Sequence, residues 1–325
     1  MLQLEITAVT SPLKHQFSIS RGSKLTAETV RVQLTHGDHI GRGECVPYGR
    51  YGETVAQVIR DIESQRDRIE AGLSRDGLQT CLPAGAARCA LDVAFWDLEA
   101  KQTGLPVWKR AGLPAPRPLS CTMSLSLDAP DTMANAAKRT EAKILKLKLG
   151  GDEDMARIVA VHEARPDAKL VVDGNEGLVP SDFRRLAEMA AAHGVIMIEQ
   201  PFGQEDEDKL SSMECPVAIC ADESVHTAAD IQRLARLYDM VNIKLDKAGG
   251  LTEALLMLEE ARRCRLGVMI GCMVASSLSM APAALLGAAT DLTDLDGPLW
   301  LAEDVPHGLH YEDGLLSPPL PTLWG

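Results

Sequence analysis

The chain has 325 residues, enough for one barrel-sized domain plus a smaller one. Its formal net charge of -13, with no basic stripe, sets aside nucleic acid and anionic membranes as partners, and aromatics at 4% set aside base stacking as a main activity. Met1 to Thr10 lacks a basic-then-apolar leader, the eight cysteines form no CxxC pair and read as free thiols, and the eight histidines show no zinc spacing. Together these features read as a cytoplasmic protein.

The first third reads as α+β. Leu2–Val9, Thr29–Leu34 and Ile40–Cys45 have strand character, with turn signals at Arg21-Gly22 and Gly37-Asp38, as in an antiparallel meander. Helical periodicity covers Glu53–Ala71, and Ala84–Thr103 is apolar nearly all round, which implies burial. The chain divides into an α+β capping domain over 1–115, completed by about 302–325, and a catalytic domain over 116–301.

From about Pro118 short β-rich runs alternate with helical segments. The runs are Leu119–Ser126, Ile144–Leu149, Leu170–Asp173, Val195–Glu199, Val217–Asp222, Met240–Leu245, Val268–Cys272 and Asp294–Trp300. The helices include Asp152–Ala164, Ser181–His193, Ala228–Leu237 and Thr252–Cys264. The apolar stretch Cys272–Thr290 is broken by Ser276, Ser277, Ser279 and Pro282, so it reads as buried strand plus helix rather than a membrane span. Eight such units fit an α/β fold, a TIM-type (β/α) barrel with an N-terminal α+β cap. A doubly wound sheet lacks its phosphate loop, since Gly41-Arg42-Gly43 lies inside the meander without a third glycine.

The informative signal is where charge falls. The strands end in KLKLG (Lys146, Lys148), DGNE (Asp173, Asn175), IEQP (Glu199), ADES (Asp222, Glu223), NIKLDK (Lys244, Asp246, Lys247) and DLDGP (Asp294, Asp296). From Lys148 the steps to Asp173, Glu199, Asp222 and Lys244 are 25, 26, 23 and 22 residues. One βα unit has that length, so each step returns to the same end of the next strand, the catalytic face of a barrel. Three converging carboxylates would repel and raise one another's pKa, and a hard divalent cation relieves this; three oxygens plus waters and substrate suit Mg²⁺. Lys244 comes four strands after the Lys146/Lys148 pair, half-way round an eight-stranded ring. Neighbouring positive charge would depress a lysine pKa enough for it to act as a base. A metal that chelates a carboxylate would stabilise the enediolate left when the α-proton departs. Opposed bases make inversion the natural outcome, whereas a single active base suits elimination or cycloisomerisation.

These motifs resemble the enolase superfamily, in its muconate-lactonizing subgroup, over essentially the whole chain. Within it, GECVPYGRYGE (43–53), LPAGAARCALD (82–92), GCMVASSLSMAPA (271–283) and DLDGPLWL (294–301) are similar to the dipeptide epimerases. The resemblance implies Asp173, Glu199 and Asp222 as ligands of one Mg²⁺ per subunit, with Asn175, Asp246 and Glu223 supporting them. It implies Lys148 and Lys244 as acid/base lysines assisted by Lys146, and Asp294 and Asp296 as partners of a dipeptide's α-ammonium group. ISRGSK (19–24) matches a mobile loop that closes over the site, and Tyr48–Glu53 a second one. Lys24 stands where acidic-specific members can carry arginine, and a lysine attracts a glutamate as a point charge rather than a bidentate fork. Arg21 is the nearby alternative, and Met273 is a further substrate contact. The implied reaction is epimerisation of a dipeptide at its C-terminal residue, by default L-Ala-D-Glu of cell-wall peptide recycling. Alternatives are another dipeptide, N-acylamino acid racemase, o-succinylbenzoate synthase, muconate cycloisomerase, or a barrel that only binds. The implied partner is the small-molecule dipeptide, and a homo-oligomer is compatible with the family.

Overall fold

The computed structural model describes residues 2–325. Three N-terminal strands, β1 (Gln3–Ile19), β2 (Gly22–His36) and β3 (His39–Cys45), form an antiparallel sheet in the order β1-β2-β3. The first two are much longer than the sequence suggests. Their outer halves form a two-stranded arm, with Phe17 paired to Lys24 and a register break between Pro12 and Phe17. An arm that buries little on either face carries no clean alternation, so residues 10–28 do not read as strand.

The remaining strands are β4 (Leu119–Ser120), β5 (Met123–Leu125), β6 (Ile144–Lys148), β7 (Lys169–Asp173), β8 (Val195–Glu199), β9 (Ala218–Ala221), β10 (Met240–Lys244), β11 (Gly267–Gly271), β12 (Leu292–Asp294), β13 (Tyr311–Glu312) and β14 (Leu315–Leu316). Strands β5 to β12 run parallel in sequence order, and a Cys121–Thr293 bridge joins the two edges, so the sheet is a nearly closed barrel. Strand β4 instead pairs with β14, which splits the expected Leu119–Ser126 run into two strands.

Three other features depart from the sequence reading. The link from β8 to β9 is a 3-10 turn, Glu207–Ser212, rather than an α-helix. The last barrel strand ends at Asp294, where the sequence reading began it; Gly297–Trp300 is a 3-10 turn, because Pro298 fixes a turn-compatible φ and has no N–H for a ladder. The helix expected over Glu53–Ala71 breaks at Ser64-Gln65 into Val55–Glu63 and Arg66–Glu70.

The helix Ala86–Thr103 is buried on nearly every side because it lies between the cap sheet and the barrel. Its polar residues tie the two together. Arg88 donates to the carbonyls of Ala248 (2.7 Å) and Gly249 (3.3 Å), and Asp92 accepts from Thr252 N (3.0 Å) and Oγ1 (2.5 Å). These bonds cap the end of one helix (Leu245–Ala248) and the start of the next (Leu251–Arg263). The buried helix thus fixes the backbone immediately after Lys244. Strand β3 crosses the same helix at backbone contact. A Cβ on Gly43 would stand 2.1 Å from the Ala90 carbonyl. Gly43→Ala is therefore expected to lower stability by about 2 kcal/mol through overpacking, read as a lower thermal or urea midpoint. No helix among the described residues is long and apolar enough to cross a membrane.

Candidate active site

The site follows from period-two alternation along the barrel strands. Val171, Met197, Cys220, Met269 and Leu292 pack with Ile144, Ala218 and Met240 as an apolar plug inside the barrel. Two residues on, the same faces carry Lys146, Asp173, Glu199, Asp222, Asn242 and Asp294, and four on, Lys148 and Lys244. Register aligns Lys148 with Asp173 and Asp173 with Glu199, and likewise Lys244 with Gly271 and Gly271 with Asp294. Strands β6 and β10 are four apart in the eight-strand order, so Lys148 and Lys244 rise from opposite walls.

Every one of these lysines is ion-paired. Lys148 Nζ lies 2.6 Å from Asp173, and Lys244 Nζ 2.6 Å from Asp222. Lys146 Nζ sits 2.7 Å from both Glu199 and Asp294, and 3.3 Å from Asp173. For Lys146 and Lys244 the carboxylates outweigh the depression that neighbouring positive charge was expected to cause. Burial pulls the Lys146 ammonium down, but Asp294, Glu199 and Asp173 outweigh it and hold it well above the usual range; Lys244 is raised the same way by Asp222 and Glu199. The expected mutual elevation of the three carboxylates holds for Glu199 alone. Burial and then Asp173 push Glu199 up to about 7. Burial acts on Asp173 and Asp222 in the same sense, but Lys148 and Lys146 bring Asp173 down to about 2, and Lys244 and Lys247 hold Asp222 well below the carboxylate range.

Among the described residues, no three His, Cys, Asp or Glu side chains already gather round one point, because ammonium groups stand between the carboxylates. The donor set nevertheless fits a hard cation. It consists of oxygen atoms, and several are buried without a hydrogen bond: Glu199 Oε2, Glu223 Oε2 and Asn175 Oδ1. Lys146 approaches Glu199 Oε2 without hydrogen-bonding alignment. The backbone is also strained here, as Asn175, Glu176 and Gln200 all have positive φ, at 43°, 68° and 33°. Asn175 N donates to Asp173 Oδ1 (2.9 Å), and Asn175 Nδ2 to Glu223 Oε1 (3.3 Å).

The strand ends open into a cavity of about 430 Å³, lined among others by Lys24, Lys148, Lys244, Met273, Asp294 and Asp296. Asp173 and Glu199 lie beneath it, fully buried. Asp294 takes its charge partner from Lys146 and accepts from Thr122 Oγ1. Asp296 differs. It accepts from Ser124 N (2.7 Å), Ser124 Oγ (3.3 Å) and Trp300 Nε1 (3.3 Å), all neutral donors, and burial with the neighbouring Asp294 pushes it up to about 6. Lys24, which also lines the cavity, is mostly enclosed, 5.8 Å over the Phe17 ring, and burial lowers its pKa. Arg21 also reaches the cavity, but its guanidinium is engaged by Glu223 (2.7 Å), Glu176 (3.2 Å) and the Asn175 carbonyl (2.7 Å).

Asp246 is not brought to the carboxylates it was expected to support. It accepts from Val46 N (2.8 Å) and borders a separate cavity with Glu53 and His226. Lys247 takes that place instead, 2.6 Å from Asp222 Oδ1 and bonded to the Asp222 carbonyl. Asn242, which the sequence reading did not single out, donates to Glu199 Oε1 (2.8 Å). Its signal was available: it is a polar residue within the apolar run MVNIK, two before Lys244. Burial lifts the Asp246 pKa from 3.8 to about 7. The folded chain therefore keeps a proton that the unfolded chain releases. The contribution is favourable at low pH and is lost as pH rises through about 7. Asp246→Asn should flatten the fall in thermal midpoint between about pH 4 and 7 and raise the midpoint at pH 8.

Residues 1–112 match the model for the mandelate racemase/muconate lactonizing enzyme N-terminal domain, and 131–322 match the enolase C-terminal domain-like model. An L-Ala-D/L-Glu epimerase of Escherichia coli K12 is 42% identical over 308 residues, covering 94% of this chain and 96% of that protein. An N-acetyl-D-glutamate racemase of Pseudoalteromonas is 38% identical over 297 residues, covering 90% and 94%. A crystal structure of an enolase family member from Agrobacterium tumefaciens, with homology to dipeptide epimerases and bound to sodium and L-Ala-L-Glu, superposes with a TM-score of 0.97 at 44% identity over 100% of both chains.

Proposed function

The chain belongs to the mandelate racemase/muconate lactonizing enzyme family of the enolase superfamily, and on that footing we propose that it is a dipeptide epimerase, acting on L-Ala-D/L-Glu with Mg²⁺. The observation that carries this reading is Asp296, a buried carboxylate at the catalytic mouth whose partners are all neutral. A desolvated anion of that kind calls for a cation, and a dipeptide's free α-ammonium supplies one. Lys24, a cation lining the same cavity, suits an acidic side chain on the C-terminal residue.

Asp173, Glu199 and Asp222 would hold the cation, with Asn242, Lys247 and Asn175 orienting them. When bound, it supplies positive charge opposite the substrate carboxylate and competes for the oxygens that now bind the lysine ammonium groups. The chain's own work is proton transfer. One of Lys148 and Lys244, as the neutral amine, accepts the α-proton at Nζ from one face. The other, as the ammonium paired with its carboxylate, delivers a proton from Nζ to the opposite face, so one proton is taken, one is given, and the stereocentre inverts. Lys146, fully buried and strongly held in its charged form, contributes fixed positive charge beneath the reacting carbon and does not exchange protons.

A Pseudoalteromonas relative that is an N-acetyl-D-glutamate racemase favours a second reading, in which the amino end is acylated. One experiment separates the two. Ala-Xaa dipeptides and N-acetylglutamate are incubated with protein and Mg²⁺ in D₂O, and gain of one mass unit is followed. The dipeptide reading predicts exchange on L-Ala-D-Glu and L-Ala-L-Glu ahead of N-acetylglutamate. Exchange of the acylated compound alone would establish the second reading. Titration calorimetry should show Mg²⁺ binding that weakens at least about tenfold in Glu199→Gln, through loss of one anionic ligand. The physiological setting we propose is recycling of cell-wall peptides in the cytoplasm.

A further inference from the structure

Trp300 stands where the arm formed by β1 and β2 packs against the loop that carries Asp296. Its indole N–H donates to Asp296 Oδ2 (3.3 Å). The Phe17 ring meets the indole edge-on, with centroids 4.7 Å apart at 76°. Phe17 is the register partner of Lys24 across the arm, and the Lys24 ammonium lies 5.8 Å over the Phe17 ring. A small apolar cluster of Leu13, Ala27, Val274 and Leu301 packs beneath the two rings. It is stitched by the Leu13–Leu301 bridge and by Ala302 N donating to the Pro12 carbonyl (2.8 Å).

A carboxylate offers about four acceptor positions. On Asp296, Ser124 N, Ser124 Oγ and Trp300 Nε1 fill three, which leaves one for a ligand and fixes its direction. The rest of the indole is an apolar wall that seats the arm. We propose that Trp300 is a positioning residue that sets both ends of the substrate site, aiming Asp296 at the amino end while docking the Phe17–Lys24 end of the arm over the side chain. This rests on the reading that Asp296 receives the substrate's amino group. Its consequence is that the two ends of the ligand are recognised cooperatively, since a shift of the indole moves both.

The test compares L-Ala-L-Glu with N-propionyl-L-glutamate, which lacks only the amino group. The readouts are KM for the dipeptide and the inhibition constant for the propionyl compound. Trp300→Phe keeps a ring against Phe17 but loses the N–H. KM for the dipeptide should rise about tenfold, the cost of one hydrogen bond to a charged group, with the loss falling on KM more than kcat. Propionyl-glutamate binding should change less than about twofold. Phe17→Ala does not touch Asp296, yet it too should reduce the preference for the free amine, and the double variant should lose less than the product of the single losses. Equal weakening of both ligands, an unchanged preference in Phe17→Ala, or strictly multiplicative losses would overturn the proposal. A wild-type protein that exchanges the dipeptide yet shows no preference for it over propionyl-glutamate would instead remove the assignment of Asp296 to the amino group.

Discussion

Lys148→Ala and Lys244→Ala should each abolish epimerisation, lowering kcat by about 10³-fold, within the range measured for removing a general acid or base. The two lysines stand on β6 and β10, four strands apart in the ring, so neither can reach the face served by the other. Loss of activity through misfolding is a weak rival explanation. In Lys148→Ala, Asp173 keeps Lys146 at 3.3 Å; in Lys244→Ala, Asp222 keeps Lys247 at 2.6 Å. Neither substitution leaves a buried carboxylate without a cation, so melting temperatures should stay near wild type. The distinguishing result is isotopic. Each variant retains one base, so each should still exchange the α-proton of one stereoisomer with solvent and not the other, with opposite preference in the two variants. Identical behaviour of both variants toward both isomers would mean that only one lysine moves protons.

Asp296→Asn should cost about 10²-fold in kcat/KM on L-Ala-L-Glu, because the incoming ammonium would be desolvated against a neutral amide, and an unpaired buried charge costs several kcal/mol. Asp296 is a cleaner choice than Asp294. Its protein partners are neutral donors, which an amide oxygen still accepts, whereas Asp294→Asn would also strip Lys146 of a charge partner at 2.7 Å. Relative preference should move toward N-acetylglutamate, which has no positive charge to lose. A dipeptide activity indifferent to Asp296→Asn would shift the account to the acylated substrate.

Much of this was legible in the sequence for a physical reason. A barrel repeats with the length of one βα unit, so charged residues recurring every 22 to 26 positions must share one end of the barrel. Lys148, Asp173, Glu199, Asp222, Lys244 and Asp294 meet in that way. What spacing does not carry is which charge neutralises which. Lys146 reads as a companion of Lys148, yet its side chain sits two residues deeper and bridges Glu199 and Asp294 across the barrel. Asp246 lies two positions from Lys244, but the chain turns into the helix Leu245–Ala248 there, so strand alternation no longer holds and its carboxylate faces the cap. The long arm was hidden because it packs only on its tip and base, and Trp300 because it reads as the end of the strand run Asp294–Trp300, whereas the chain turns at Pro298. Of the eight cysteines, Cys45, Cys89, Cys121 and Cys220 are buried free thiols; the other four are free but partly exposed.

The proposed reaction is inversion at the α-carbon of a dipeptide's C-terminal residue by two lysines on opposite faces. Proton NMR in D₂O tests it most directly, with L-Ala-L-Glu and L-Ala-D-Glu incubated separately with the wild-type protein and Mg²⁺. Both should lose the α-proton signal of glutamate and converge on the same mixture of deuterated isomers. Exchange with retained configuration, or no exchange from either isomer, would contradict it.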